Sequence, residues 1–338
     1  MPATVLTFAA SAHGSQKRSN TTEARRRVFF EPFTKETGIA IEIDEWAGGM
    51  PELRERKASG RTWDILSMGL DSLALAGSEG LLEPLDIASL GGKSRFFSGA
   101  VVDPFGVQNL MAGNVGSYSA AGFGGQRPTS LDDFWDTQKF PGKRALPPHP
   151  QQLLEFALIA DGVASADLYT VLATDAGIDR AIAKLDRLRP HLTFFKTLAE
   201  SPRMLVDGEA SMTLINSHFI SHAAAQTGKP LGVIWDGMCL CGGAWTIPTG
   251  GGKREAAAQF IAFANRDDRQ VEFAKALEIG PVTTSSIAKL PADVAARLPT
   301  APANHRRSFV FSGRFWAFDG SPARTKYAAW LAGVAPPA

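Results

Sequence analysis

The segment from residue 28 to 86 constrains the fold most, because helix and strand patterns alternate in it with short connections. Phe29, Phe30 and Phe33 share one side of a predicted helix, and Gly38 can adopt the positive φ that ends it. In chain order, the segment predicts this helix, a strand over 39–43, a helix over 50–59, a strand over 63–67 and a helix that ends at Gly80. This alternation is typical of a mixed, mostly parallel sheet flanked by helices, so we predict an α/β fold.

The composition indicates two domains and argues against a nucleic-acid partner. The chain has 338 residues, which is more than one hydrophobic core usually serves. Its 35 basic and 34 acidic residues give a net charge of +1, whereas nucleic-acid binders normally carry a basic excess. No apolar run approaches the length that spans a bilayer.

The sequence shows no pattern of an enzyme or of a metal site. It lacks a nucleophile elbow, a P-loop and the spacing of metal ligands. Cys239 and Cys241 are too close in sequence to favour a disulfide, and two thiols without further ligands make a poor metal site. We therefore expect no catalytic residue, cofactor or metal, and we interpret both cysteines as small buried side chains.

Several motifs resemble the extracellular solute-binding proteins of ABC transporters, above all the branch that binds spermidine and putrescine. The resemblance begins with FFEPFTKETGI, WDI and EGLLEPLD, and it continues in order at Gly208-Glu209, Thr246-Ile247-Pro248 and Ile279-Gly280-Pro281-Val282. It covers most of the chain. It implies a monomer of two α/β lobes that close about a hinge on a small solute in the cleft between them. It also implies ABC permease subunits as partners.

Glycine-rich segments mark the expected crossings between the lobes. We expect lobe 1 to contain residues 1–116 and 243–288, and lobe 2 to contain residues 117–242 and 289–338. Ser130 is the expected N-cap of a short helix near the start of lobe 2. We interpret the three consecutive arginines at 25–27 as a solvated helix face, because acidic residues flank them on both sides.

The candidate ligand contacts lie mainly where predicted strands end or helices begin, the edge at which open α/β sheets bind ligands. They are Ser11, His13, Asp71, His149, Gln152, Arg203, Asn216, Asp236, Cys241 and Trp316. Most come from matching this chain to the polyamine-binding relatives, and several have a structural alternative. For Asp71 the alternatives are a helix cap and a ligand contact. For Asp236 they are a turn cap and a partner for a ligand amine. For His149 and Trp316 the alternatives are a structural role and a position facing the cleft. For Arg203 they are a surface position and a contact to a ligand carboxylate.

The exchanges against the polyamine binders favour a different solute. His149, Gln152 and Gly243 stand where the resemblance places acidic contacts, and Arg203 stands where the relatives are uncharged. We therefore expect a solute with a carboxylate and an amine, such as γ-aminobutyrate, with Arg203 binding the carboxylate and Asp71 or Asp236 the amine. The alternatives are a polyamine receptor, a two-lobed enzyme with the architecture of porphobilinogen deaminase, and a sensor domain outside transport.

The N-terminal sequence lacks the basic region and apolar core of a signal peptide. Since the resembling family is exported, we expect that Met1 replaces a removed signal and that the protein works in the periplasm.

Overall fold

The computed structural model describes residues 4–10, 20–46 and 48–334. The chain divides into two compact units, the first formed by residues 1–111 and 242–300 and the second by residues 112–241 and 301–338. Within the described residues, each unit contains one six-stranded sheet with helices around it. The prediction of two α/β lobes is therefore confirmed.

The strands are numbered in chain order. They are β1 (Val5–Ala10), β2 (Ala40–Ile43), β3 (Ile65–Gly69), β4 (Val102–Asp103), β5 (Gly106–Gln108), β6 (Ala112–Ser119), β7 (Arg144–Leu146), β8 (Leu192–Phe194), β9 (Met212–Asn216), β10 (Leu231–Cys241), β11 (Gly243–Thr246) and β12 (Phe309–Val310).

The α-helices are numbered in the same way. They are α1 (Asn20–Arg25), α2 (Glu31–Thr37), α3 (Met50–Ala58), α4 (Leu70–Ser78), α5 (Leu131–Trp135), α6 (Leu153–Ala160), α7 (Leu168–Leu172), α8 (Asp175–Asp186), α9 (Glu200–Val206), α10 (Ser217–Thr227), α11 (Arg254–Ala264), α12 (Asp267–Leu277), α13 (Thr284–Ala288), α14 (Ala292–Ala295) and α15 (Ser321–Ala332). Wider π-helical turns occupy Arg26–Phe30, between α1 and α2, and Phe315–Asp319, before α15. None of the helices in the described parts of the chain is long and apolar enough to cross a membrane.

The sheet of the first unit has the strand order β2-β1-β3-β11-β5-β4. β1 is parallel to β2 and β3, whereas β11 is antiparallel to both β3 and β5. The sheet is mixed, as predicted, because the chain returns from the second unit and enters the sheet in the reverse direction as β11. β5 still runs with β1 and β3, so all three strands end at the same edge.

The sheet of the second unit has the order β12-β10-β6-β9-β7-β8. β7 is parallel to β8 and β9, and β6 is antiparallel to β9 and β10. The carboxyl ends of β7, β9 and β10 therefore share one edge, at which β6 begins.

All three boundaries between the units differ from the expected ones, the middle one by a single residue. The first falls after Met111 instead of residue 116, because β6 pairs with β9 and β10 along its length and so belongs to the second unit. The last falls after Thr300 instead of residue 288, because Leu290 and Leu298 pack on Val271 and Ala274 of α12.

The aromatic face of the first helical segment is buried as predicted. Phe29 and Phe33 are fully buried, and Phe29 packs 4.6 Å from Phe273 and edge-on to Trp245 at 5.9 Å, measured between ring centroids. α2 ends at Gly38, whose φ of 74° is the left-handed conformation that glycine adopts most easily. Ser130 caps α5 through a reciprocal capping box with Asp133, which confirms its predicted role.

Candidate ligand-binding site

Arg25 is a buried cation in the first unit. Its residue is only 4% exposed, and the rings of Phe8 and Trp245 each lie 5.6 Å from the guanidinium carbon. The prediction of a solvated arginine row is therefore wrong for Arg25, although Arg26 and Arg27 are exposed. The reason is helical geometry, because Arg25 precedes the buried Phe29 by four residues and so shares its inward face.

The guanidinium of Arg25 is only partly satisfied. Its Nη2 donates to Ser67 Oγ at 3.1 Å, and Asn109 Nδ2 donates to the same oxygen at 2.8 Å. Within the described residues, the buried Nε and Nη1 of Arg25 have no hydrogen-bond partner, and no carboxylate forms an ion pair with them. Burial lowers the pKa of Arg25 to about 10, so the group still carries its charge at neutral pH.

These groups meet at the edge of the sheet where β1, β3 and β5 end. Ser67 lies in β3, Asn109 follows β5, and Gly243 begins β11. A Cβ atom added at Gly243 would lie 3.3 Å from Ser67 Oγ and 3.4 Å from Asn109 Oδ1, so this glycine adjoins both polar groups. We call Arg25, Ser67, Asn109 and Gly243 the Arg25 cluster. It provides one positive charge and several N–H and O–H donors, a combination suited to an anion.

A second polar group lies at the corresponding edge of the sheet in the second unit. Asn114 of β6 pairs with Asn216 at the end of β9, and its Nδ2 donates to Gln152 Oε1. Cys241 Sγ is a donor to Asn216 Oδ1 at 3.5 Å. We call Asn114, Gln152, Asn216 and Cys241 the amide cluster. Three of the predicted contacts, Gln152, Asn216 and Cys241, are therefore neighbours.

The amide cluster is neutral and has one unused acceptor. The buried oxygen Asn114 Oδ1 has no hydrogen-bond partner in the described chain, and neither has Oε1 of Gln151, which precedes Gln152 in the sequence. Gln152 has a φ of 67°, a left-handed conformation that is uncommon for residues other than glycine, asparagine and aspartate. Amide oxygens accept hydrogen bonds from N–H groups, so this cluster suits an amine or an amide better than an anion.

Arg203 belongs to neither the Arg25 cluster nor the amide cluster. Its side chain is 55% exposed, and Nη1 binds Asp207 at 2.9 Å and Glu209 at 3.1 Å. Asp207 is one helical turn further along and Glu209 lies just beyond α9, so the guanidinium is engaged locally. This geometry supports the surface-residue alternative for Arg203.

Asp236 is an internal ion-pair partner in the second unit. Its carboxylate binds Arg306 Nε at 2.9 Å and Arg307 Nε at 3.1 Å, and it accepts the backbone N–H of Leu131 at 2.9 Å. Burial opposes its ionisation, but the hydrogen bonds from Arg307 and Leu131 outweigh it and lower the pKa of Asp236. The negative charge of the carboxylate is thus already compensated by two arginines, which leaves little capacity for a ligand amine.

Trp316 is an interior residue. It is fully buried, and its Nε1 donates to Glu155 Oε1 at 2.6 Å. Its ring packs edge-on to Phe315 at 5.3 Å between centroids. The core alternative that the sequence left open is the one that this packing supports.

Of the remaining predicted contacts, Asp71 lies at a helix start and His149 lies in a loop. Asp71 is partly buried in the first turn of α4, where its Oδ1 accepts the N–H of Ser72 at 2.9 Å. It is not the N-cap, because Gly69 occupies that position. His149 is exposed in the loop after β7. Ser11 and His13 lie outside the described residues.

Sequence reasoning missed Arg25, Asn109 and Asn114. Arg25 had a detectable signal, because it follows the spacing of the apolar helix face instead of the polar one. Asn109 and Asn114 had none, since both lie in a glycine-rich stretch without periodicity. Within the described residues, no group of three or more His, Cys, Asp or Glu side chains could hold a metal ion.

Comparison with known proteins supports the resemblance seen in the sequence. A model of the bacterial extracellular solute-binding protein family matches residues 29–303. The gamma-aminobutyric acid-binding protein of Pseudomonas aeruginosa is 32% identical over 335 residues, which are 97% of this chain and 94% of that protein.

Solved structures agree with this match. An ABC transporter substrate-binding protein from Bradyrhizobium japonicum is 28% identical with a TM-score of 0.86, covering 97% of this chain and 99% of its own. A GABA receptor is 26% identical with a TM-score of 0.83, covering 96% of this chain and 97% of its own. A spermidine/putrescine substrate-binding protein from Streptococcus pneumoniae shares the fold, with a TM-score of 0.77 at 15% identity over 97% of this chain and 99% of its own.

Proposed function

Because this chain belongs to the family of bacterial extracellular solute-binding proteins, we propose that it binds a short amino acid of the γ-aminobutyrate type for an ABC importer. The observation that carries this proposal is the 32% identity to a gamma-aminobutyric acid-binding protein over nearly the whole chain. A structural neighbour at 26% identity is also described as a GABA receptor. The solute carries a carboxylate and an ammonium group and has no net charge.

The two polar clusters are consistent with such a solute. Among the described residues, Arg25 has no carboxylate partner, and Oδ1 of Asn114 in the amide cluster is an acceptor without a donor. Neither cluster includes a carboxylate, whereas a polyamine needs negative partners for each of its cations. A polyamine would also meet the positive charge of Arg25. These features favour a zwitterion over spermidine.

The proposed receptor works outside the cytoplasmic membrane as a monomer and passes its solute unchanged to the permease subunits. The extracellular family and the ABC transporter neighbour support this role. Recovery of an altered product after incubation with the solute would indicate an enzyme instead.

Calorimetric titration tests the ligand. The protein is first unfolded and refolded to remove copurified solutes, which are identified by mass spectrometry. We expect saturable one-to-one binding of γ-aminobutyrate and none of spermidine. At a hundredfold excess over Kd, γ-aminobutyrate should raise the free energy of unfolding by about 2.7 kcal/mol. Saturable binding of spermidine without binding of γ-aminobutyrate would overturn the proposal in favour of a polyamine receptor.

A further inference from the structure

We propose that Arg25, together with Ser67, anchors the carboxylate of the bound solute, and that Gly243 keeps the space for it. This assignment rests on the proposed function, because it takes the solute to be an amino acid. It places the carboxylate in the first unit, on a residue that the sequence pattern assigned to a solvated face.

The first step is the charge of Arg25. The guanidinium is buried, and it has no carboxylate partner among the described residues. A buried charge without a partner is unfavourable, so natural proteins pair such charges or use them to bind ions. The rings of Phe8 and Trp245 interact with the cation but accept no conventional hydrogen bond. An incoming carboxylate would supply both the missing charge and the missing acceptors.

The second step is the direction of the hydrogen bonds. Ser67 Oγ accepts from Arg25 Nη2 and from Asn109 Nδ2, which leaves its own hydroxyl hydrogen to donate. Together with Nε and Nη1 of Arg25, the cluster therefore has several unused donors. An anion with two oxygens can accept them, and a carboxylate matches the planar fork of a guanidinium.

The third step is the glycine beside these donors. Gly243 does not have a positive φ, so its backbone conformation is open to any residue. A Cβ atom there would approach Ser67 Oγ to 3.3 Å and the carbonyl oxygen of Met68 to 3.2 Å. Space next to the polar atoms, and not backbone strain, is therefore what a side chain at this position would remove.

Arg203 is the competing candidate for the same role. It is exposed and already binds Asp207 and Glu209, so a solute carboxylate would have to replace two existing partners. Arg25 has two nitrogen donors without partners among the described residues, and it is buried where the water that competes with an ion pair is excluded. The structure therefore favours Arg25.

The first test compares arginine variants by calorimetry with γ-aminobutyrate and with 4-aminobutanamide, which keeps the amine but lacks the carboxylate charge. Arg25→Met should weaken γ-aminobutyrate binding at least about 100-fold and leave the affinity for the amide nearly unchanged. Arg26→Met removes an exposed neighbouring arginine and serves as the matched control. If Arg25→Met binds as the parent does while Arg203→Ala abolishes binding, the assignment is wrong. If the parent itself does not bind γ-aminobutyrate, the proposed function fails instead.

The second test does not depend on the folding of Arg25→Met, and its comparison of Tm values does not depend on the solute. Gly243→Asp introduces a carboxylate beside Ser67, and Gly243→Asn introduces a neutral side chain of the same shape. If Arg25 has an unpaired charge within reach, the Asp variant should have the higher Tm and should not bind γ-aminobutyrate. Equal Tm values for the two variants, or γ-aminobutyrate binding by the Asp variant at parental affinity, would contradict the assignment.

Discussion

Replacing Glu155 by glutamine should change how the free energy of unfolding depends on pH. Glu155 lies on α6 and is fully buried, and its Oε1 accepts hydrogen bonds from Trp316 Nε1 at 2.6 Å and Tyr169 Oη at 3.1 Å. Burial raises the pKa of this carboxyl from 4.5 to about 7, although both hydrogen bonds favour the ionised form. A glutamine can accept the same two hydrogen bonds without titrating.

The sign and size of the effect follow from proton linkage. The unfolded chain releases the Glu155 proton near pH 4.5, whereas the folded chain keeps it until about pH 7. The contribution to stability is therefore fully present below pH 4.5 and is lost as the pH rises through 7. At 1.36 kcal/mol for each unit of pKa difference, the loss amounts to about 3 kcal/mol. His218 titrates with the opposite sign, because burial lowers its pKa to about 4, but its contribution cancels between the parent and Glu155→Gln.

Urea unfolding at several values between pH 4.5 and 8 measures this difference. The free energy of unfolding of the parent, minus that of Glu155→Gln, should fall by about 3 kcal/mol across the range. Glu272→Gln removes an exposed carboxylate that pairs with Lys275 at 3.2 Å, and it controls for the loss of one negative charge. A difference that stays constant with pH would refute the reasoning that burial governs the titration of Glu155.

Three further outcomes are expected. Asp236→Asn should lower the free energy of unfolding by about 2 kcal/mol near neutral pH, because the arginine pairs are lost. Because the pKa of Asp236 is lowered from 3.8 in the folded state, this contribution should be fully present above pH 3.8 and should be lost as the pH falls further, through the lowered pKa. An unchanged urea midpoint at pH 7 would contradict the prediction. Ser130→Ala should lower the free energy of unfolding by about 1 kcal/mol, because the capping box is lost, and urea unfolding measures this change. Cys239 and Cys241 should react with a thiol reagent only after unfolding, so rapid labelling of the native protein would exclude their burial.

The sequence by itself was sufficient for the architecture, because the signals for it are local. The period-2 pattern over 39–43, the aromatic helix face around Phe29 and the glycine at 38 all act within a few residues, and each forms as predicted. The Ser130 cap is equally local. The family resemblance also rests on the order of these signals along the chain, and the family model matches a region that contains them.

Side-chain partners that lie near in sequence could also have been inferred. Arg203 has an aspartate four residues later, at the spacing of an exposed helical ion pair, and the structure shows that pair.

Tertiary structure alone decided which polar groups meet. Ser67 is 42 residues from both Arg25 and Asn109, and they come together because β3, β11 and β5 are neighbours in one sheet. Likewise, Glu155 and Trp316 are 161 residues apart and meet inside the second unit. Periodicity records whether a side chain faces inward, but not which strand or helix lies opposite. Only strand order and packing determine that the buried Arg25 has no acid beside it in the part of the chain that the structure describes.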